Sequence, residues 1–197
     1  SIFVASQLNP LDSPHTYVQD TCEYLRNKWS SANAAPGTVV MVIMFHGINK
    51  DSVDDANDIL VPDFKRMMND LKEQGFEAIN MTQMADFMDH NAKIPMRSVL
   101  LIADDRHQGE YFNDHFRPFH DQWGWPVVNG WISLEDGPRA ISLESNIALE
   151  AEGLVDHQSH GYIHNINMGD SSTDEFIKTE FEKSISDLQT NFNKTPL

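Results

Sequence analysis

The chain has 197 residues, of which 40% are hydrophobic and 22% charged: enough apolar material for one folded domain and too much for global disorder. A formal net charge of -16 disfavours nucleic acid and anionic membranes as partners, because both repel an acidic surface. The single cysteine, Cys22, excludes an intramolecular disulfide and a Cys-rich zinc site, and no stretch approaches the roughly 20 apolar residues of a membrane span.

The opening SIFVASQLNP has neither a basic start nor a long apolar region, so it does not read as a signal peptide. Residues 1–37 read as an N-terminal arm with one helix over Thr16 to Trp29, closed by the turn signal Pro36-Gly37. The rest, residues 38–197, alternates strand and helix. Thr38 to Phe45 is a continuous apolar, β-branched run, expected to be a strand buried on both faces. Pro62 to Gln74 places Phe64, Met67, Met68 and Leu71 on one helical face, with Gly75 suited to the C-terminal cap. A short strand over Phe76 to Asn80 precedes a helix over Thr82 to His90, with Thr82 as its expected N-cap.

Ser98 to Ala103 is the third strand. Glu110 to Trp123 reads as helical, with Pro118 interrupting it. Pro126 to Ile132 is the fourth strand, Ser142 to Glu152 a helix and Gly153 to Gln158 the fifth strand. A final helix runs from Thr173 to Phe192, with Ile177, Phe181, Ile185, Leu188 and Phe192 expected on its inner face. Strand followed by helix, five times over, argues for an α/β fold with a parallel sheet, either open or closed into a barrel. Both place functional groups at the carboxyl ends of strands, which selects three loops: FHGINKD, ADDRHQG and SHGYIHN.

Asp104 and Asp105 stand side by side directly after the third strand. A strand would send them to opposite faces, whereas a loop can turn both toward one cleft; the pair would also suit a solvated turn. His160 and His164, four apart, share one face of a helical turn and can hold one metal ion or form a mere surface pair. Together the two loops supply carboxylate and imidazole, a ligand set for zinc or a similar divalent ion that leaves positions open for water and substrate. The spare Asp can accept a proton as general base. Trp123, Trp125 and Trp131 are expected in the core rather than on a sugar platform, His157 beside the metal ligands or buried in its strand, and His107, His115 and His120 in solvent.

LLIADDRHQG resembles the Thr-Phe-Asp-Asp-Gly block of polysaccharide deacetylases (carbohydrate esterase family four, the NodB-homology domain). SHGYIH resembles that family's His-Ser/Thr-x-x-His block, and VVMVIMFHGI its usual first strand. The resemblance spans Thr38 to the C-terminus and implies a distorted (β/α) barrel. By that likeness Asp104 is the catalytic base, and Asp105, His160 and His164 hold a divalent metal, zinc above cobalt, nickel, manganese or iron. His46 and Arg106 are implied as substrate or supporting residues, with His46 expected foremost as a hydrogen-bonded structural histidine. The implied reaction is hydrolysis of N-acetyl groups from an amino sugar polymer such as chitin, peptidoglycan or poly-N-acetylglucosamine. The implied location is extracellular or periplasmic.

Ala103 and Arg106 replace the Phe and Gly of the first block, and Gly161 stands where Ser or Thr usually follows the first histidine. Arg106 is positioned in sequence to pair with Asp104 or to contact substrate. The family's later blocks, including the one that supplies the catalytic acid, have no counterpart before NFNKTPL. The expectation is therefore an incomplete barrel, finished by a further C-terminal segment or by a second copy docking on exposed edge strands. Two alternatives stay open: a small amide or imide hydrolase of the same fold, and a carbohydrate-binding or assembly module without catalysis.

Overall fold

The computed structural model describes residues 39–53, 58–105, 108–133, 143–163 and 168–197. The N-terminal arm with its expected helix, Cys22, Arg106, His107 and His164 lie outside them. The elements are β1 (Val39–Phe45), β2 (Ile48–Asn49), β3 (Ile59–Leu60), α1 (Val61–Glu73), β4 (Glu77–Ala78) and α2 (Met81–His90). They continue with β5 (Arg97–Asp104), α3 (Gly109–His115), α4 (Arg117–Trp123), β6 (Val127–Trp131), α5 (Leu143–Ala151), β7 (Val155–Ser159) and α6 (Asp174–Phe192).

The main sheet is parallel throughout, in the order β1-β5-β6-β7, with β4 pairing the start of β5. Among the described residues it is open rather than closed into a barrel. Alternation along β5 feeds two apolar clusters. Val99, Leu101 and Ala103 join Phe64, Met68, Phe112 and Phe116 on the side of α1, α3 and α4. Leu100 joins Ile79, Ile94 and Val128 on the other side, with Met84 and Phe87 of α2 packed against them. Phe64 is fully buried and meets Phe45, Phe116 and Phe119 edge-to-face at 5.2, 5.2 and 5.8 Å, the geometry ring quadrupoles favour.

Local signals account for most boundaries. The Gly75 N–H donates to Lys72 O and the Phe76 N–H to Leu71 O, a Schellman close on α1 that needs Gly75 at φ +80°. Helices α3 and α4 are separate because Pro118, in the first turn of α4, cannot continue the hydrogen-bond ladder of α3. Trp125 and Trp131 are buried in the core, as expected.

Four expectations are corrected. The N-cap of α2 is Asn80, not Thr82: the Asn80 side chain accepts from the Gln83 N–H and the Gln83 side chain accepts from the Asn80 N–H, while Thr82 already lies inside the first turn. Strand β1 is not buried on both faces; it pairs only with β5 among the described residues and leaves Val39, Met41, Val42 and Met44 exposed. Helix α6 buries Glu180, Ser184, Leu188 and Phe192, while Phe181 points outward, because the inner face of the helix lies over a loop with backbone N–H groups to satisfy. His115 and His120 are half-buried rather than solvated: the His115 ring packs on Tyr111 and Phe64, and His120 Nδ1 lies 3.2 Å from Trp125 O.

Candidate active site

The strands end level at their carboxyl side. Asp104 pairs with Gly130 across β5 and β6, Gly130 pairs with Gln158 across β6 and β7, and the His160 N–H donates to Trp131 O, carrying the ladder one residue past β7. Three loops therefore start at one height, and each delivers a side chain with metal-binding or acid–base chemistry.

Asp105 departs from strand geometry at φ +58°, a left-handed conformation uncommon outside Gly, Asn and Asp. That turn breaks the alternation of β5 and brings both carboxylates to the same side. Asp104 Oδ1 and Asp105 Oδ1 lie 3.3 and 3.2 Å from His160 Nε2, and Asp104 Oδ2 and Asp105 Oδ2 lie 3.4 and 3.5 Å from His46 Nε2. The carboxylates form the floor and the imidazoles the mouth: side-chain exposure is 15% for Asp104 and 9% for Asp105, against 34% for His46 and 46% for His160. The hydrogen bond that its ring donates to Asp105 holds the His160 imidazole above its usual pKa, against the opposing effect of burial and with further help from the two negative charges.

Close backbone approaches make this convergence possible. A Cβ on Gly130 would lie 2.8 Å from Asp104 Oδ1 and 3.4 Å from the Cβ and Cγ of His160, so glycine lets both side chains stand where they are. Gly47, after His46, faces Asp58 so closely that a Cβ there would meet Oδ1 at 2.3 Å; the Ile59 N–H donates to Gly47 O and Asn49 Nδ2 to Asp58 Oδ2, pinning the loop that carries His46. The Tyr111 hydroxyl donates to His46 O at 3.3 Å.

Of the residues selected from sequence, Asp104, Asp105, His160 and His46 are brought together. His46 faces the carboxylate pair instead of a remote structural partner. His157, by contrast, is fully buried away from them, between Glu150 Oε2 (2.8 Å from Nδ1) and Asn146 Oδ1 (3.0 Å from Nε2), and stacked on Phe192. Gly130 escaped the sequence reading, although a glycine inside the run PVVNGWI marks a close approach.

The donor set fits a divalent cation. His46, Asp104 and Asp105 each offer a ligand atom, all within 4.8 Å of one another, and His160 Nε2 touches the same carboxylates. Two ligands ~2.1 Å from a tetrahedral ion stand about 3.4 Å apart, the spacing these carboxylate and imidazole atoms already have.

No family model matches the chain, and no curated protein sequence matches it. Solved structures do. The Streptococcus pyogenes deacetylase PplD, in complex with acetate, superposes with a TM-score of 0.67 at 18% identity, over 80% of this chain and 71% of that one. A de-N-acetylase from Aggregatibacter actinomycetemcomitans gives 0.61 at 17% identity, over 80% and 76%. A polysaccharide deacetylase from Bacillus cereus gives 0.59 at 18% identity, over 80% of this chain and 49% of the other.

Proposed function

From the premise that the chain has the polysaccharide-deacetylase fold, we propose that it is a metal-dependent hydrolase that removes N-acetyl groups from an amino sugar polymer. The convergence of His46, Asp104, Asp105 and His160 from three strand ends carries the reading. Asp105 and His160 are the ligands of a divalent ion, most readily zinc, and His164, four residues on, completes the set. Such an ion supplies Lewis acidity, polarising a carbonyl oxygen and acidifying water.

The protein's own groups do the rest. Asp104 is the general base: it sits at the floor of the cleft and takes the proton of the attacking water. His46 Nε2, 3.4 Å from Asp104 Oδ2, orients that carboxylate. The half-exposed imidazoles mark the open side, from which an acetamido group on an extended chain can enter. Polymers of this kind are cell-wall or extracellular materials, so the reading places the protein outside the cytoplasm; among the described residues no helix is long and apolar enough to cross a membrane.

Metal content by elemental analysis, on the wild type beside His160→Ala, tests the reading. About one divalent ion per chain, lost in the variant, together with acetate release from acetylated glucosamine polymers, supports it. No metal in the wild type after loading with zinc overturns it.

A further inference from the structure

Glu180 is 4% exposed and sits in the middle of α6, where a helix of this amphipathic kind ordinarily buries an apolar side chain. Its carboxylate is turned into the loop after β7. Oε2 accepts from the Tyr162 N–H at 2.9 Å, and both oxygens accept from the Ile163 N–H, at 3.2 and 3.1 Å. Gly161, at φ +87°, curls the chain around the same carboxylate: a Cβ there would lie 3.1 Å from Oε2. One turn further along α6, Ser184 Oγ lies 2.6 Å from Ser159 Oγ, the residue before His160. Lys183 places its ammonium 4.6 Å from the Tyr162 ring centroid, over its face. The segment from Ser159 to Ile163, which includes His160, is thus held to one helix at Ser159, Tyr162 and Ile163.

We propose that Glu180 is the positioning residue of the metal centre: its buried carboxylate clamps two consecutive backbone N–H groups so that the loop presents His160 toward the Asp104–Asp105 pair. The inference rests on the metal-centre reading above. A buried carboxylate is costly to keep unless its oxygens are satisfied, and here backbone N–H groups of the loop satisfy them. Loop and helix each supply what the other lacks, so neither end of the arrangement tolerates an apolar exchange. Residues that hold a ligand's orientation without touching the ion typically change metal affinity by about 10–100-fold when altered.

The test uses the full chain and Co2+ as the probe, with four proteins: wild type, His160→Ala, Glu180→Gln and Glu180→Ala. Two readouts are taken: amide hydrogen exchange at Tyr162 and Ile163 without metal, and Co2+ affinity from the visible ligand-field bands. The expected result is faster exchange at those two amides in Glu180→Ala with β5 and β6 unchanged, and Co2+ affinity weakened by about 10-fold or more. Glu180→Gln, which keeps one acceptor oxygen, falls between wild type and Glu180→Ala. Unchanged exchange in Glu180→Ala overturns the clamp whatever the metal does. Faster exchange with unchanged Co2+ affinity, while His160→Ala loses Co2+, overturns the positioning role alone. A wild type that binds no Co2+, or a His160→Ala that binds it equally well, removes the metal-centre reading and the positioning role with it.

Discussion

Gly130 and Asp104 face each other across adjacent strands so closely that a methyl group on residue 130 would stand 2.8 Å from Asp104 Oδ1 and displace that carboxylate. Residue 130 is in a strand with no left-handed backbone to explain the glycine, so the demand is purely for space. Gly130→Ala is expected to push Asp104 and the His160 ring apart. Overpacking of this kind costs about 1–3 kcal/mol of stability. A displacement near 1 Å at the reacting groups costs on the order of 10²-fold in rate. Acetate release and urea unfolding of the variant measure both; a fully active Gly130→Ala would refute the steric argument.

The two neighbouring carboxylates are expected to separate by function. Asp104→Asn removes the proton acceptor and should lower kcat by about 10²–10⁴-fold while metal is still bound. Asp105→Asn should instead weaken metal binding, as should His160→Ala. If Asp104→Asn empties the site and Asp105→Asn leaves it filled, the roles are the reverse of those assigned here. Elemental analysis beside steady-state kinetics distinguishes the cases.

The cap of α2 makes a sharp contrast within three residues. Asn80→Ala deletes the reciprocal side-chain bonds with Gln83 and should cost ~1 kcal/mol. Thr82→Ala lies inside the first turn and should change the unfolding midpoint by less than about 0.5 kcal/mol. Equal losses in the two variants would contradict the assignment of the cap.

Acid should weaken the fold in two stages through the network behind β7. Burial pushes the His157 imidazole below its usual 6.5, outweighing the carboxylate of Glu150 and the charge of Asp156, which raise it; Lys194 lowers it further. A base depressed in the folded state contributes stability that is present above pH 6.5 and lost as the pH falls. Burial raises the Glu150 carboxyl, but hydrogen bonds from the His157 ring, the His157 N–H and Lys194 outweigh it and leave it below 4.5. Its contribution is therefore present above pH 4.5 and lost as the pH drops through its lowered value. Urea midpoints should fall first below pH 6.5 and again below 4.5, and His157→Gln should abolish the upper stage and shrink the lower one, which draws on the same ring. An unchanged upper stage in that variant would assign the effect elsewhere.

What the sequence made legible was local. The apolar run of β5, the doublet at its end, the Pro118 break and the Gly75 cap are set by neighbours in the chain, and they stand where the pattern puts them. The partnership of His160 with the aspartates was legible because both follow strands of one parallel sheet. What failed depended on contacts across the fold. Burial of β1 depends on what covers it, which its own residues do not encode. The face of α6 was misread at Phe181 because apolar periodicity cannot register that the loop opposite needs acceptors, and Glu180 and Ser184 supply them. Gly130 acts through the side chain of a neighbouring strand, at a pairing known only once the sheet is assembled.

Val39, Met41, Val42 and Met44 give β1 an apolar flank on a molecule of net charge -16. In dilute buffer the mutual repulsion of like-charged copies reaches well beyond contact and is expected to keep the flank unpaired. Raising ionic strength from about 0.1 M to 1 M shortens the screening length from ~10 to ~3 Å. The repulsion then ends where the apolar surfaces begin to touch. Added sodium chloride should therefore raise light scattering rather than lower it. On this account the net charge of -16, not the chemistry of the flank itself, should set the concentration at which the protein remains dispersed.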